Sequence, residues 1–142
     1  MFDVISAMLK IRLPRSLFDR MISHCRSEYP HEACGLLSGG EGVAGRIYEM
    51  PNAESSPVSY LVDPGAQFRA MKEMRENGER MVAIYHSHPQ SRPYPSQKDI
   101  SLAFYSDAVY IIVGLGGDAP ADVRGYTILD GRVGEAGIEI LP

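Results

Sequence analysis

Apolar residues recur at helical spacing in three stretches of the chain. The first predicted helix starts at Pro14, ends before Pro30 and has an apolar stripe at Leu17, Phe18, Met21, Ile22 and Cys25. The second starts at Asp63-Pro64, an acidic cap followed by proline, and runs to about Asn77 with Gly78 as its C-cap. The third starts at Ser96 and runs to about Tyr105. His24 falls outside the first apolar stripe, so we expect it to be exposed and to have no function.

Runs of apolar, β-branched and aromatic residues between these helices predict strands. The predicted strands cover residues 10–13, 32–38, 43–50, 58–62, 81–88, 108–113, 123–129 and 132–141. Gly39-Gly40 and Asp130-Gly131 predict the turns of two hairpins, and residues 52–57 predict a loop. The mixture of helices and strands predicts one domain of the mixed α/β (α+β) class over residues 1–142, with residues 1–8 as a loosely held tail.

Composition and charge narrow the classes of function. The 142 residues are 44% hydrophobic, enough for a sizeable core, and the net charge of −4 argues against nucleic acid as a partner. No apolar run approaches the length of a membrane span, and the N-terminus has an acid where a signal peptide has bases and no clear cleavage site. Two cysteines, Cys25 and Cys34, do not make a disulfide framework, so we expect a cytoplasmic protein. The oligomeric state stays open.

The richest chemistry lies between Tyr85 and Asp99. Side chains alternate along a strand, so His86 and His88 at the end of strand 81–88 point to the same face, with Cα atoms about 7 Å apart. A loop with three prolines follows, and Ser96 and Asp99 then lie one turn apart at a helix start. Two histidines, a carboxylate and an open position are the ligand set of a catalytic zinc.

Each of these residues has a simpler interpretation. A His-x-His pair also occurs in cores with its ring nitrogens satisfied, and Ser96-x-x-Asp99 is close to a capping box. A capping serine can still present its hydroxyl to a site, so the two roles of Ser96 are compatible. Glu32 opens an apolar strand, where it either ends the strand in water or serves the site as a general base that is not a ligand. Cys34 is interpreted as a small core residue.

These residues together resemble the JAMM (MPN+) metalloprotease family. The resemblance rests on Glu32 in Glu-Ala-Cys-Gly-Leu-Leu and on the spacing of His86, His88, Ser96 and Asp99, and it covers roughly residues 11–141. The local sequence around these residues is most similar to that of the small standalone bacterial and archaeal members. The RadC-like branch tends to carry Asn where this chain has Ser87. The resemblance implies a curved mixed sheet flanked by helices. It also implies Zn²⁺ bound by His86, His88 and Asp99, with Glu32 as general base and Ser96 as oxyanion donor.

The resemblance further implies hydrolysis of an amide or isopeptide bond. The expected substrate is a ubiquitin-like or sulfur-carrier protein with a Gly-Gly C-terminus, because the compact chain has little room for the insertions of longer deubiquitinating members. We expect the carrier's tail to bind along an exposed strand edge, for which residues 54–60 are one candidate. Two alternatives stay open: a non-catalytic module that binds a ubiquitin-like partner, and a zinc peptidase that acts on other peptides.

Overall fold

A computed structural model describes residues 9–116 and 119–142, and within these ranges the chain forms seven strands and three helices. The strands are β1 (Lys10–Pro14), β2 (Cys34–Gly40), β3 (Val43–Met50), β4 (Arg80–His88), β5 (Val109–Gly114), β6 (Asp122–Leu129) and β7 (Arg132–Leu141). The helices are α1 (Arg15–Ser27), α2 (Pro64–Glu76) and α3 (Gln97–Ser101). The predicted tail at residues 1–8 lies outside the described residues. Among the helices described, none is both long enough and apolar enough to cross a membrane.

The strands form one mixed sheet that closes on itself. Their order is β1-β3-β2-β4-β5-β6-β7, and β7 returns to pair with β1 in parallel, with Ile138 opposite Ile11. β4 lies between β2 and β5, antiparallel to β2 and parallel to β5. The mixed α/β class is therefore confirmed, and the closure of the sheet is an addition to it. The assignment of residues 1–142 to a single domain stays a prediction.

β4 is buried on both faces, which decides where its last residues point. Ala83 and Tyr85 pack in a cluster with Met21 and Cys25 of α1. The alternate residue Ile84 packs in a second cluster, whose members from α2 are Ala70 and Met74. Since side chains alternate along a strand, His86 and His88 continue the face of Ile84. The histidines therefore emerge on the α2 side of the sheet.

Several local predictions are confirmed because they rest on local interactions. The Asp63 carboxylate accepts a hydrogen bond from the Ala66 amide at 2.9 Å, as an N-cap does, and Gly78 follows the helix with a φ of +69°. β6 and β7 form the predicted hairpin, with Asp130 and Gly131 both in the left-handed region. The β2–β3 turn lies at Glu41-Gly42, so the prediction of Gly39-Gly40 as the turn is wrong.

The predicted strand at residues 58–62 is wrong. This segment has no ladder, and only Val62 pairs, in an isolated bridge with Asn52. The Asn52 side chain takes the hydrogen bonds that a neighbouring strand would otherwise make, since it accepts from the Leu61 amide and donates to the Ser59 carbonyl. The result is a loop between β3 and α2, which we call the 52–62 loop.

The helix predicted from Ser96 to about Tyr105 is much shorter, because α3 ends at Ser101. The Tyr105 amide donates to the Tyr110 hydroxyl of β5 at 3.0 Å instead of to a helical carbonyl. The Tyr105 hydroxyl in turn accepts from Gln67 of α2. Tyr105 is therefore held by β5 and α2 and is not part of α3.

His24 is half-buried, so the expectation of an exposed residue is wrong. Its Nδ1 is hydrogen-bonded to the Tyr85 hydroxyl at 2.6 Å, and the two rings meet edge to face. Burial lowers the pKa of His24. The Tyr85 ring is fully buried in β4, one residue before His86. The His24 contact thus satisfies a buried hydroxyl directly beneath the end of β4.

Gly35→Ala is expected to destabilise the fold, because a Cβ at Gly35 would lie 2.3 Å from the Tyr85 ring. Overpacking of a dense core costs about 1–3 kcal/mol. The measurement is the free energy of unfolding from urea denaturation. The matched control is Gly40→Ala in the same strand, where no atom lies within 4 Å of the added Cβ. Equal losses for the two variants would contradict the steric explanation.

Candidate functional site

Three side chains from two elements converge at the end of β4. His86 and His88 are 1% and 3% exposed, and Asp99 lies in the first turn of α3. The three distances among His86 Nε2, His88 Nε2 and Asp99 Oδ2 are each 3.1 Å. The structure thus brings together the three residues that the sequence predicts as metal ligands. We call this group the His–His–Asp cluster.

The geometry of the His–His–Asp cluster fits a metal ion. Two ring nitrogens and one carboxylate oxygen face each other. The two ring nitrogens cannot both carry a proton directed at the other, so at least one of them presents a lone pair. Ligand atoms held tetrahedrally at zinc distances lie about 3.3–3.4 Å apart, close to the observed 3.1 Å. A divalent cation would satisfy all three lone pairs at once. The cluster can therefore hold a metal ion, with at least one coordination position left free.

Surrounding groups orient His88 more firmly than His86. The His88 Nδ1–H donates to the Arg92 carbonyl at 2.8 Å, which leaves Nε2 unprotonated towards the cluster. The next residue, Pro93, has its carbonyl bound by the Tyr126 hydroxyl of β6, so the proline-rich loop is tied to the barrel. His86 Nδ1 is buried and has no hydrogen-bond partner within residues 9–116 and 119–142. Only the tautomer of His88 is therefore set by a hydrogen bond.

Ser96 and Asp99 form a reciprocal capping box at the start of α3. The Ser96 Oγ accepts from the Asp99 amide at 3.1 Å, and the Asp99 Oδ2 accepts from the Ser96 amide at 2.9 Å. That Oδ2 is also the oxygen that contacts both histidines. The Ser96 hydroxyl uses only its acceptor side in the cap, so its proton stays available to another group.

The cluster perturbs the acidity of its members. Burial lowers the pKa of His86 although the Asp99 carboxylate opposes this. Burial also acts to lower the pKa of His88, but the Asp99 carboxylate and the Arg92 carbonyl outweigh it and the pKa is raised. Burial acts to raise the pKa of Asp99, but its contacts with the two imidazole rings and the hydrogen bond from the Ser96 amide hold that pKa well below its usual range. The carboxylate of Asp99 therefore stays ionised, as a metal ligand must.

Glu32 lies buried just before β2. It is 3% exposed, so the simpler interpretation of a strand end in water is wrong, and so is the prediction that the strand starts at Glu32. Its Oε1 has no hydrogen-bond partner among the described residues. Burial raises the pKa of Glu32 to about 8, an effect that His88 reduces and Asp99 increases. A carboxylate with a pKa near neutrality beside a metal-binding cluster is suited to accept and release protons.

Two further residues contact the site from the 52–62 loop. The Tyr60 ring stacks on the His86 ring, with centroids 4.2 Å apart and planes at 21°. Asn52 donates to the Glu32 carbonyl at 3.0 Å. Sequence reasoning missed both, although residues 54–60 were a candidate for substrate binding. No local pattern marks them, because their partners lie more than 19 positions away in the chain.

Several known proteins are similar to this one over most of its length. The protein is 39% identical over 127 residues to the "CysO-cysteine peptidase" of Mycobacterium tuberculosis. The aligned region covers 88% of this chain and 87% of that protein. It is 35% identical over 125 residues to the "Probable TtuB-protein conjugate cleaving protease" of Thermus thermophilus, over 87% and 80% of the two chains. The solution structure of a protein from Desulfitobacterium hafniense superposes with a TM-score of 0.83 at 34% identity, over 92% of each chain.

The family comparison covers most of the chain. The family described as prokaryotic homologs of the JAB domain matches residues 14–128, a range that contains Glu32, the His–His–Asp cluster and Ser96. This confirms the resemblance to JAMM (MPN+) proteins drawn from the sequence. The protein belongs to the prokaryotic branch of the JAB-domain family.

Proposed function

We propose that this protein is a zinc metallopeptidase that hydrolyses the amide or isopeptide bond at the C-terminus of a ubiquitin-like, sulfur-carrier type protein. The observation that carries the proposal is the convergence of His86, His88 and Asp99 within 3.1 Å of one another, in a site that includes the buried carboxylate of Glu32. A metal-ligand set with an adjacent base is the arrangement of a metal-assisted hydrolase.

The relatives support the substrate class. One is named a peptidase for CysO-cysteine and the other a protease that cleaves TtuB-protein conjugates, and each spans at least 87% of this chain. Both names describe hydrolysis of a bond to a protein partner. We therefore infer that the bond cleaved here joins the C-terminus of a small carrier protein to an amino acid or to another protein. The family resemblance implies that this carrier ends in Gly-Gly.

His86, His88 and Asp99 would hold the zinc ion, and Asp99 would be kept in place by the Ser96 amide. Zinc with three protein ligands supplies a Lewis acid that polarises a carbonyl group and lowers the pKa of water towards about 7. The protein's own contribution is to orient the ligands, through the Arg92 carbonyl on His88 and the capping box on Asp99.

Glu32 is proposed as the general base. Its carboxylate takes a proton from the attacking water and delivers that proton to the departing nitrogen. The leaving group is then a neutral amine and not an amide anion. In the metal-free protein burial raises the pKa of Glu32 to about 8, and a cation bound nearby would favour the ionised carboxylate that a general base needs.

Ser96 is expected to combine capping with catalysis. Ser96→Ala removes the cap acceptor, which costs about 1 kcal/mol of stability, and removes the hydroxyl donor for the oxyanion, which lowers kcat by roughly 10²–10³. Ser96→Asp still caps α3 but cannot donate when ionised. Thermal melts, zinc content and single-turnover rates separate the two roles. If Ser96→Asp cleaves as fast as the wild type, the hydroxyl has no catalytic role.

The direct test uses a Gly-Gly carrier protein that bears one extra C-terminal residue. The zinc-loaded protein is incubated with this carrier, and intact-mass spectrometry reads the product. We expect a mass loss equal to one residue, with a new Gly-Gly C-terminus, and no loss with Glu32→Gln. A second substrate, the carrier joined to a lysine side chain through an isopeptide bond, tests the conjugate activity.

The other two interpretations predict different results. Binding of the carrier without any cleavage of either substrate would identify a non-catalytic module. Cleavage of unrelated peptides as fast as the carrier would identify a general zinc peptidase. Unchanged masses together with no binding would overturn the proposed function.

A further inference from the structure

The side chain of Asn52 is the hub of the 52–62 loop. It is half-buried, and all four of its hydrogen-bonding positions are used. Nδ2 donates to the carbonyls of Glu32 and Ser59 at 3.0 and 3.1 Å. Oδ1 accepts from the amides of Glu54 and Leu61, each at 3.0 Å. One amide group therefore folds the loop and also ties it to the residue proposed as general base.

Glu32 is held through its main chain rather than through its carboxylate. Within the described part of the chain, its buried Oε1 has no hydrogen-bond partner. Its amide donates to the Ser56 carbonyl at 2.8 Å, its carbonyl accepts from Asn52, and the following Ala33 amide donates to the Ser87 hydroxyl. The position of the carboxylate thus depends on the backbone that carries it. Two of these three bonds lead to the 52–62 loop.

The same loop contacts the metal-binding side of the site. Tyr60 stacks on His86, and the Glu54 carboxylate pairs with Lys98, the neighbour of Asp99 in α3. The loop is therefore bonded twice to the main chain of Glu32 and makes two contacts with the elements that carry the His–His–Asp cluster. A change in the Asn52 bonds would shift Glu32 relative to that cluster.

We propose that Asn52 is a positioning residue, which places the Glu32 carboxylate relative to the His–His–Asp cluster through the bond from Nδ2 to the Glu32 carbonyl. The role rests on the proposed hydrolase function. All four hydrogen bonds of the Asn52 side chain go to main-chain groups, so it acts by fixing the backbone. Misplacement of a catalytic group by about 1 Å can cost about 10²-fold in rate.

Asn52→Asp is the informative variant, because it replaces the Nδ2 donor by an acceptor and keeps Oδ1. The two bonds to carbonyls, including that of Glu32, become repulsive, whereas those from the Glu54 and Leu61 amides remain. We expect kcat for the carrier bearing one extra residue to fall about 10–100-fold, with KM and zinc content little changed. Asn77→Asp is the matched control, since it makes the same chemical change at the exposed C-terminal end of α2.

A double-mutant cycle with Glu32→Gln tests whether Asn52 acts through Glu32. In the Glu32→Gln background, Asn52→Asp is expected to change the residual single-turnover rate less than about twofold. An equal fold loss in both backgrounds would overturn the proposal, as would full activity of Asn52→Asp alone. If Asn52→Asp does not fold, as judged by its thermal melt, Asn52→Ala takes its place in the same cycle.

Amide hydrogen exchange followed by NMR gives a readout that does not need activity. In metal-free Asn52→Asp, the loop loses its bond to the Glu32 carbonyl, which loosens the neighbouring bond from the Glu32 amide to the Ser56 carbonyl. The Glu32 amide is therefore expected to exchange faster, while the Leu61 amide, which still donates to Oδ1, keeps its protection. Equal protection of Glu32 in variant and wild type would overturn the tether. If the wild type does not cleave the carrier, the proposed function fails, yet the exchange experiment still decides the tether. If the wild type cleaves and Asn52→Asp cleaves equally, only the positioning role fails.

Discussion

Glu32→Gln is expected to remove nearly all hydrolysis while the protein keeps its fold and its zinc. Glutamine has the size of glutamate but cannot accept a proton, and loss of a general base typically costs 10²–10⁴-fold in rate. Because Glu32 Oε1 has no hydrogen-bond partner among the described residues, the substitution disrupts no bond of that atom. The measurements are single-turnover cleavage of the carrier and zinc content by mass spectrometry.

The same variant gives a pH signature that does not depend on activity. In the metal-free protein, burial raises the pKa of Glu32 from 4.5 to about 8. Between these values the folded protein holds a proton that the unfolded chain has released, so stability falls as the pH rises through this window. Glu32→Gln removes this fall. The stability of metal-free Glu32→Gln relative to wild type should therefore increase from about pH 4.5 to about pH 8 and then level off.

Other outcomes would assign a different role to Glu32. Loss of zinc together with activity would make it a metal ligand. Unchanged activity would make it a buried residue without a catalytic part. A flat stability difference across the pH window would show that the carboxyl is solvated in the folded protein.

His88→Ala is expected to abolish both zinc binding and activity. The His–His–Asp cluster provides three ligands, and a site with two retains far less affinity for a catalytic metal. We expect about one zinc per chain in the wild type after dialysis and a large loss in the variant. His31→Ala is the matched control, since His31 is exposed and lies outside the cluster. Equal zinc in wild type and His88→Ala would overturn the assignment of the ligands.

Removal of the metal by a chelator should have the same effect on activity and leave the fold intact. Two clusters of buried apolar residues pack on the two faces of the sheet, so the fold does not depend on the ion as that of a zinc finger does. Circular dichroism of the metal-free protein checks this, and activity should return when zinc is added. A protein that unfolds without metal would contradict this interpretation.

Much of the site could be predicted because its signals are local. His86 and His88 share a face through the two-residue period of a strand, and Ser96 and Asp99 meet through the period of a helical turn. The structure places these four residues as that reasoning predicts. Glu32 was named by sequence because a carboxylate is unusual at the start of an apolar segment.

Three of the errors share one physical cause, which is a hydrogen bond to a side chain outside the predicted element. The side chain of Asn52 satisfies the backbone of residues 59 and 61, so no strand forms there. The Tyr110 hydroxyl accepts a hydrogen bond from the Tyr105 amide, which in the predicted longer helix would donate to a helical carbonyl. Tyr85 recruits His24, which helical periodicity alone places in water. In each case residue periodicity does not reveal that hydrogen bond.

The sequence by itself determined most of the elements and the mixed α/β class and supplied the candidate site residues, because periodicity, capping and turn preference act between near neighbours. Only the tertiary structure decided that the sheet closes, that Glu32 is buried and that the 52–62 loop joins Glu32 to His86 through Asn52 and Tyr60. Burial and long-range hydrogen bonds depend on which segments meet in space. Those tertiary contacts are set by the packing of the whole chain, so no short stretch of the sequence contains a signal for them.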